Sequence, residues 1–564
     1  MTQPAQPPAS ESGRRVSNAL ATSFLAVALY ILLLALTTPL YIGDTLMYAQ
    51  NAADYIQGGG RLWEFGHLLW RPWGYLGWML AGGAFARWFG DTPFDTIVRI
   101  FFISNHIAGL VCVFLLFRLL VRLVDPKVAL LVTLAFGCTN PMINYSQSGS
   151  SYTPGLMFLL LACWLAVRSL ERPAQSTLYA CLSGAALAFA AGCWFPFAFA
   201  GLGVLAIFRH WPPEPDSGVN RDWIRPALWF LLVLAALFSA MAAVGGWFAG
   251  AHTPNEFKDW VVRSGHGWAQ KLNAIRIATG WPRGFFDLGD ETIELKRLLF
   301  RDPYNPPSVA ALASLAPKLA LVYAATLALL AGLWPRARRS LAVIALSALL
   351  PVVGFAVFIF EPSSQERYMP AFPFLFLAVA VLTASGPRWI SITLQIFAGA
   401  LIALNLWSVV KGRSSYEPTL ERKQNLERQI ESRATAFVLN VGEDVYRIPG
   451  FRPLDLRFKL KNYRYVEIAP LASSVGPVWR REFARNALAA WERGEEVWIT
   501  GHARAAKPDP SWRWVEGDDP NLKWADFPAF FAPFTYDRDS GGDSFYRLAQ
   551  TPDNRRLLEQ IASR

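Results

Sequence analysis

Residues 16–78 read VSNALATSFLAVALYILLLALTTPL and then YIGDTLMYAQNAADYIQGGGRLWEFGHLLWRPWGYLGW. Arg14 and Arg15 precede the first part, an apolar run from Val16 to Leu40. A secretory h-region is usually about 7–15 residues, so a run this long reads as an uncleaved membrane helix. The second part turns polar at once. Leu46, Ala49, Ala53 and Ile56 are spaced as one face of a helix lying on the membrane. Asp44 opens that helix and Gly58 to Gly60 end it. A span that runs straight into such a loop holds the loop's polar groups at the membrane boundary.

Further apolar runs lie near 97–117, 128–142, 153–167, 176–192, 195–208, 226–249, 317–334, 340–360, 369–386 and 390–410. With the first, this makes about eleven spans, mainly α in fold class, a polytopic membrane helix bundle. Leu68 to Phe89 is apolar enough for a helix and reads as interfacial or re-entrant. Trp70, Trp73, Trp78 and Trp88 would anchor it as an aromatic belt does.

The whole chain has 564 residues, 53% hydrophobic and 17% charged, with a formal net charge of +11. That balance excludes disordered, collagen-like and disulfide-scaffold classes. The charge is uneven. From Lys411 onward there are 25 Lys and Arg against 22 Asp and Glu, leaving 28 against 20 in residues 1–410. The basic excess therefore sits on the membrane part, where the positive-inside bias accounts for it without nucleic acid. The chain divides into three regions: a disordered cytoplasmic lead over 1–15, a transmembrane domain over 16–410, and a soluble extracytoplasmic α/β or α+β domain over 411–564.

A cytoplasmic N-terminus puts Arg118, Arg122 and Lys127, Arg168 and Arg172, Arg209, Arg221 and Arg225, Arg336, Arg338 and Arg339, and Arg388 in inside loops. The outer face then receives loops 41–96 and 250–316 and the whole tail. No span carries a charge at its centre, and His106 is the sole titratable group well inside, which disfavours ion-coupled transport. Chemistry on the outer face fits better. Asp44 has two compatible roles there: an N-cap whose carboxylate accepts helix N–H bonds, and a partly desolvated general base. Glu64 and His67, spaced i,i+3, would share a helix face, and His252 or His266 would complete a divalent-metal site only with more ligands than sequence shows.

The order Asp44, Tyr48, Gly58 to Gly60, His67 and Arg71–Pro72 resembles the first outer loop of the GT-C superfamily of integral-membrane glycosyltransferases. That superfamily includes the protein O-mannosyltransferases and the aminoarabinose transferases. NPMINYSQSGSSYTPG (140–155) looks like the family's turn into its fourth helix, and EPSSQERYMPAFP (361–373) like its Arg-Tyr lead-in to a late helix. Many relatives carry paired acidic residues where this chain has Gly43–Asp44. The aminoarabinose branch has Lys-Pro-Pro where this chain has Arg71-Pro72-Trp73, so branch and sugar are unassigned.

The resemblance implies transfer of one sugar, with inversion, from a polyprenyl-phosphate-linked donor to an extracytoplasmic glycan, lipid or protein acceptor. Asp44 would be the base. Arg367, Lys318, Arg71 and His67 would meet the donor phosphate, whose charge needs cations or N–H groups at the headgroup boundary. Tyr48, Glu64, Tyr145, Tyr152, His252, His266 and Tyr368 would contact substrate. The bacterial inner membrane is the expected location. A polymerase or ligase using a lipid-diphosphate oligosaccharide is one rival, and a non-catalytic receptor or assembly subunit is the other.

In the tail, 417–436 has a helical pattern, Ala436 to Val441 reads as a strand, Trp479 to Arg493 as a helix and Glu496 to Thr500 as a strand. A last helix is expected near Asn554 to Ala562. The aromatic stretch from Trp512 to Tyr536 reads as core before glycan platform. No nucleotide-binding or nucleophile-elbow motif occurs there. Acceptor binding or lid support is what the resemblance implies for this domain.

Overall fold

The computed structural model describes residues 9–37, 39, 42–212, 222–263, 274–288, 291–360, 362–414, 434–437, 478–508, 515–517, 523–539 and 545–563. These form two compact units. One is built on residues up to Asp287 together with Lys318–Gly412, the other on Leu288–Pro317 and the C-terminal residues from Arg413.

The first unit is helical. Among the described residues eight helices are long and apolar enough to cross a membrane: Pro93–Leu120, Tyr152–Glu171, Pro173–Cys193, Ile224–Phe248, Val309–Leu333, Arg336–Ile359, Gln365–Ser385 and Arg388–Val409. Shorter apolar helices, Leu20–Leu36, Pro126–Gly137 and Phe195–His210, fall on the other three expected runs. The chain is thus an integral-membrane helix bundle that also carries a small strand-containing unit.

We label the helices that shape the site α1 (Ala9–Leu36), α2 (Thr45–Ile56), α3 (Trp70–Phe89), α4 (Pro93–Leu120), α5 (Pro126–Gly137), α6 (Asn140–Tyr145) and α7 (Tyr152–Glu171). α4 starts where it does because Thr92 and Asp95 form a reciprocal capping box and Pro93 fills the first helical position. Asp125 caps α5 by accepting from the Lys127 N–H at 2.8 Å, with Pro126 at its start. α3 is 20 residues long but is not among the eight spans.

Of the α2 face expected to lie on the membrane, Ala49 and Ala53 are buried in packing while Leu46 and Ile56 are half-buried. Tyr48, Ala49, Ala52 and Ala53 are buried, and the small alanine side chains let α2 sit closely on α3 and α4. Close approach recurs in the bundle. Helix Ser176–Cys193 turns Ala180, Ser183, Gly184, Leu187 and Ala191 inward, against α7 and Ile224–Phe248. At the arginine-bearing ends, Arg122 pairs with Glu171 at 3.0 Å and Arg338 donates to the Ser385 carbonyl at 2.7 Å.

In the second unit, the strands β1 (Ala434–Phe437), β2 (Glu496–Thr500), β3 (Tyr536–Asp539) and β4 (Phe545–Leu548) form one sheet in the order β1-β2-β4-β3. β1 and β2 run parallel; the other pairs are antiparallel. Helix Trp479–Glu492 buries Trp479, Phe483, Ala484, Ala487 and Trp491, and Trp524, Phe527 and Phe531 join the same core. Those three aromatics therefore act as core, as expected; Trp512 and the 417–433 segment lie outside the described residues. The terminal helix is longer than expected, Pro552–Ser563.

Candidate functional site

Gly43 sits at φ 58°, a left-handed conformation that favours glycine, and a Cβ there would meet the Tyr145 ring at 3.1 Å. The turn it permits delivers Asp44 to the N-cap position of α2. The capping expectation for Asp44 fails: its side chain makes no cap hydrogen bond. Its Oδ2 instead lies 3.1 Å from the Tyr152 hydroxyl and 3.2 Å from the Tyr48 hydroxyl. One phenol stands at the start of α7 and the other in the first turn of α2, and both reach the same carboxylate oxygen.

Behind Asp44 lies a buried polar layer. The Tyr48 hydroxyl is 2.9 Å from His67 Nε2. On the other side of that ring, Nδ1 is 3.0 Å from the Cys193 carbonyl and 2.9 Å from Ser151 Oγ. Burial holds the Tyr48 phenol well above its ordinary pKa, and the Asp44 and Glu64 charges push in the same direction. It is therefore a protonated phenol at any physiological pH.

The shared helix face expected for Glu64 and His67 does not exist. Glu64 is extended, at φ −137° and ψ 134°, ahead of a single 3-10 turn over Phe65–His67. Glu64 pairs with Arg71, both buried, while His67 turns towards Tyr48. The Arg71 guanidinium also lies 5.7 Å over the Tyr48 ring. His252 is exposed, packs edge-on to Trp247 at 4.5 Å, and its backbone N–H donates to Glu256 Oε2 at 2.9 Å. His266 lies outside the described residues. Among the described residues no group of three or more His, Cys, Asp or Glu is placed to hold a metal.

A second carboxylate closes the other flank. Tyr145 donates to Glu366 Oε2 at 2.7 Å, and its ring meets Tyr152 edge-on at 4.9 Å. Tyr152 in turn packs edge-on to Trp194 at 5.0 Å. Arg367 stands 3.6 Å from Glu366, with its guanidinium 3.8 Å from the Phe360 ring centre and 5.2 Å from that of Trp194. Asp44, Tyr48, His67, Tyr145, Tyr152 and Arg367, far apart in sequence, are thereby brought into one cluster.

Tyr368 is buried and donates to the Pro362 carbonyl at 2.7 Å, holding the turn that carries Glu366 and Arg367. Lys318 donates to the Asp287 carbonyl at 2.8 Å. A longer path joins it to the cluster: the Asp287 N–H to Asn405, Asn405 to the Phe285 carbonyl, and the Asn140 N–H to that same carbonyl. Asn140 also bonds Gln365, next to Glu366.

Sequence reading passed over Glu366, Trp194, Ser151 and Asn105. A signal for the surroundings of Ser151 and Asn105 was present: Asn140–Tyr152 is polar, uncharged and glycine-bearing between two short apolar runs. All of it is buried. Asn105 of α4 donates to the Ser148 and Ser150 carbonyls, at 2.5 and 2.8 Å, and Trp70 Nε1 to the Gly149 carbonyl at 2.8 Å. A buried backbone turn must have such partners.

No family model matches the sequence, and no curated protein matches it. Solved structures do. ArnT from Cupriavidus metallidurans bound to undecaprenyl phosphate is 11% identical, with a TM-score of 0.45 over 97% of this chain and 99% of that one. The Archaeoglobus fulgidus oligosaccharyltransferase in its apo form is 10% identical, with a TM-score of 0.47 over 86% of this chain and 70% of that one. The S. cerevisiae protein O-mannosyltransferase Pmt1-Pmt2 complex bound to the sugar donor is 18% identical, with a TM-score of 0.31 over 41% and 34%.

Proposed function

We propose that the protein transfers a single sugar from a polyprenyl-phosphate-linked donor to an extracytoplasmic acceptor, inverting the anomeric centre. The observation that carries this reading is the disposition of Asp44. Its carboxylate is withheld from the helix N-terminus, is itself half-buried, and lies beside the Tyr48 and Tyr152 phenols, with Arg367 against the Trp194 ring that packs on Tyr152. Asp44 takes the acceptor hydroxyl proton while the oxygen attacks the anomeric carbon and the phosphate leaves from the opposite face.

Arg367 suits the leaving phosphate. Its guanidinium lies against the rings of Phe360 and Trp194, which fix its plane, and beside Glu366. Lys318 and Arg71 supply further positive charge within the same unit. Tyr145, Tyr152 and Tyr368 shape the sugar-side wall. The donor and acceptor loops lie on the extracytoplasmic face of a bacterial inner membrane, with the N-terminus cytoplasmic and the C-terminal domain in the periplasm.

The test is Asp44→Asn in membranes supplied with a set of radiolabelled undecaprenyl-phosphate monosaccharides. Loss of a general base lowers turnover by about 10²–10⁴-fold. Near wild-type transfer by a folded Asp44→Asn protein removes the base assignment. Failure of the wild-type protein to use any member of the set removes the donor class.

A further inference from the structure

Three features make His67 an unusual neighbour for a base. It is 3% exposed and so is shielded from solvent, whereas Asp44 is half-buried. Its Nδ1 faces the Cys193 carbonyl at 3.0 Å, and a carbonyl only accepts, so Nδ1 carries the hydrogen. Nε2 of the neutral ring is then a lone pair, and the group it meets is the Tyr48 hydroxyl at 2.9 Å. Tyr48 has one proton and two acceptors within reach, His67 Nε2 and Asp44 Oδ2 at 3.2 Å. The shorter contact and the tautomer both assign that proton to the histidine, so in the resting state Tyr152 is the phenol that donates to Asp44 and Tyr48 only lies within reach of it.

We propose that His67 is the proton store for Asp44, reached through the Tyr48 hydroxyl, and not a direct ligand of the donor phosphate. This rests on the reading of Asp44 as base. The acceptor O–H proton passes to Asp44 as the new C–O bond forms and the anomeric C–O bond breaks, its electron pair leaving on the phosphate. Asp44 then gives its proton to the Tyr48 oxygen while Tyr48 gives its own to His67 Nε2. The products of the relay are an Asp44 carboxylate, an unchanged phenol and an imidazolium. When product leaves, the proton returns along the same path to solvent at the half-exposed carboxylate.

The surroundings suit this. The charged and titratable groups facing the Tyr48–His67 pair are Asp44, Glu64, Arg71, Tyr152 and Cys193. Two carboxylates against one guanidinium leave a negative balance that favours a cationic ring. Ser151 Oγ, 2.9 Å from Nδ1, accepts alongside the Cys193 carbonyl and keeps the ring from flipping. Tyr48 never needs to become a tyrosinate, because it gains a proton as it loses one. His67 acts through Tyr48 and is a positioning residue in this scheme.

The experiment is the pH profile of kcat for the wild-type protein, His67→Gln and Tyr48→Phe, with the labelled undecaprenyl-phosphate sugar that Asp44→Asn fails to turn over. Wild type should lose activity as pH falls through the imidazole range, roughly 5.5–7.5. Both variants should show kcat lowered by about 10–100-fold, donor KM within about twofold, and that acidic limb gone. Tyr48→Phe leaves the histidine in place and removes the relay together with the 3.2 Å contact to Asp44, so the acidic limb rather than the fall in kcat is the deciding readout, and it stands if His67→Gln does not fold. A wild-type profile flat across that range, or a Tyr48→Phe protein with the limb retained, overturns the proposal. Activity in Asp44→Asn overturns the base assignment instead, so the two failures are told apart.

Discussion

A carboxylate at a helix N-cap ordinarily accepts an N–H bond from the first turn, for about 1 kcal/mol. Asp44 occupies that position and makes no such bond, taking two phenol contacts instead. A stabilising interaction forgone at one half-buried residue is the residue-scale mark of a site under another demand. Arg367 carries a similar mark. Its planar guanidinium fits between Phe360 and Trp194 in a way that a lysine ammonium cannot reproduce. Arg367→Lys keeps the charge and loses the stacking, so donor KM should rise about tenfold, equivalent to ~1.4 kcal/mol, with kcat little changed. Donor titrations of the two proteins in one membrane preparation measure this. An unchanged KM would mean that the charge alone suffices and the aromatic pair is packing.

At the scale of elements, the turn 362–368 is held by contacts that no spacing in the sequence announces. Helix Ala274–Arg283 passes so close to it that a Cβ on Gly280 would fall on the Pro362 carbonyl oxygen, the atom that accepts from Tyr368. Gly280→Ala must therefore push the turn or the helix away, and overpacking of this kind costs about 1–3 kcal/mol. The expected result is a lowered Tm together with weaker donor binding, because Glu366 and Arg367 ride on the displaced turn. A Gly280→Ala protein with wild-type Tm and donor KM would show that the helix yields freely. Elements were legible in the sequence where one physical rule dominates. Apolar runs near the length of a bilayer marked the spans, and Trp479–Glu492 and Glu496–Thr500 emerged from periodicity. β3 and β4 escaped notice because YDRD and FYRL carry charges around a glycine-rich link, a composition that reads as loop. The site was half legible. Asp44 and Arg367 stood out as charges at membrane boundaries, whereas the Asp44–Tyr152 and Tyr145–Glu366 contacts span 108 and 221 residues and exist only through packing.

For the molecule as a whole, the sign and place of its charge decide which face the chemistry uses. The +11 excess is carried mainly by short loops between apolar helices, and a bilayer with the usual charge bias keeps such loops on the cytoplasmic side. Gln57, exposed just after α2, and Ala174, exposed between α7 and the next helix, then belong on opposite faces. Four of the five native cysteines are buried and Cys181 is partly so, which makes a Cys181→Ser background suitable for labelling. In intact spheroplasts a membrane-impermeant maleimide should label Gln57→Cys at once and Ala174→Cys only after permeabilisation. Gln57 lies 13 residues from Asp44 on the same loop and helix, so its face is the face of the proposed base. The reverse pattern would put Asp44 in the cytoplasm, where soluble nucleotide-sugars are at hand and a lipid-phosphate donor loses its rationale. The labelling experiment therefore tests the donor class without knowing the sugar.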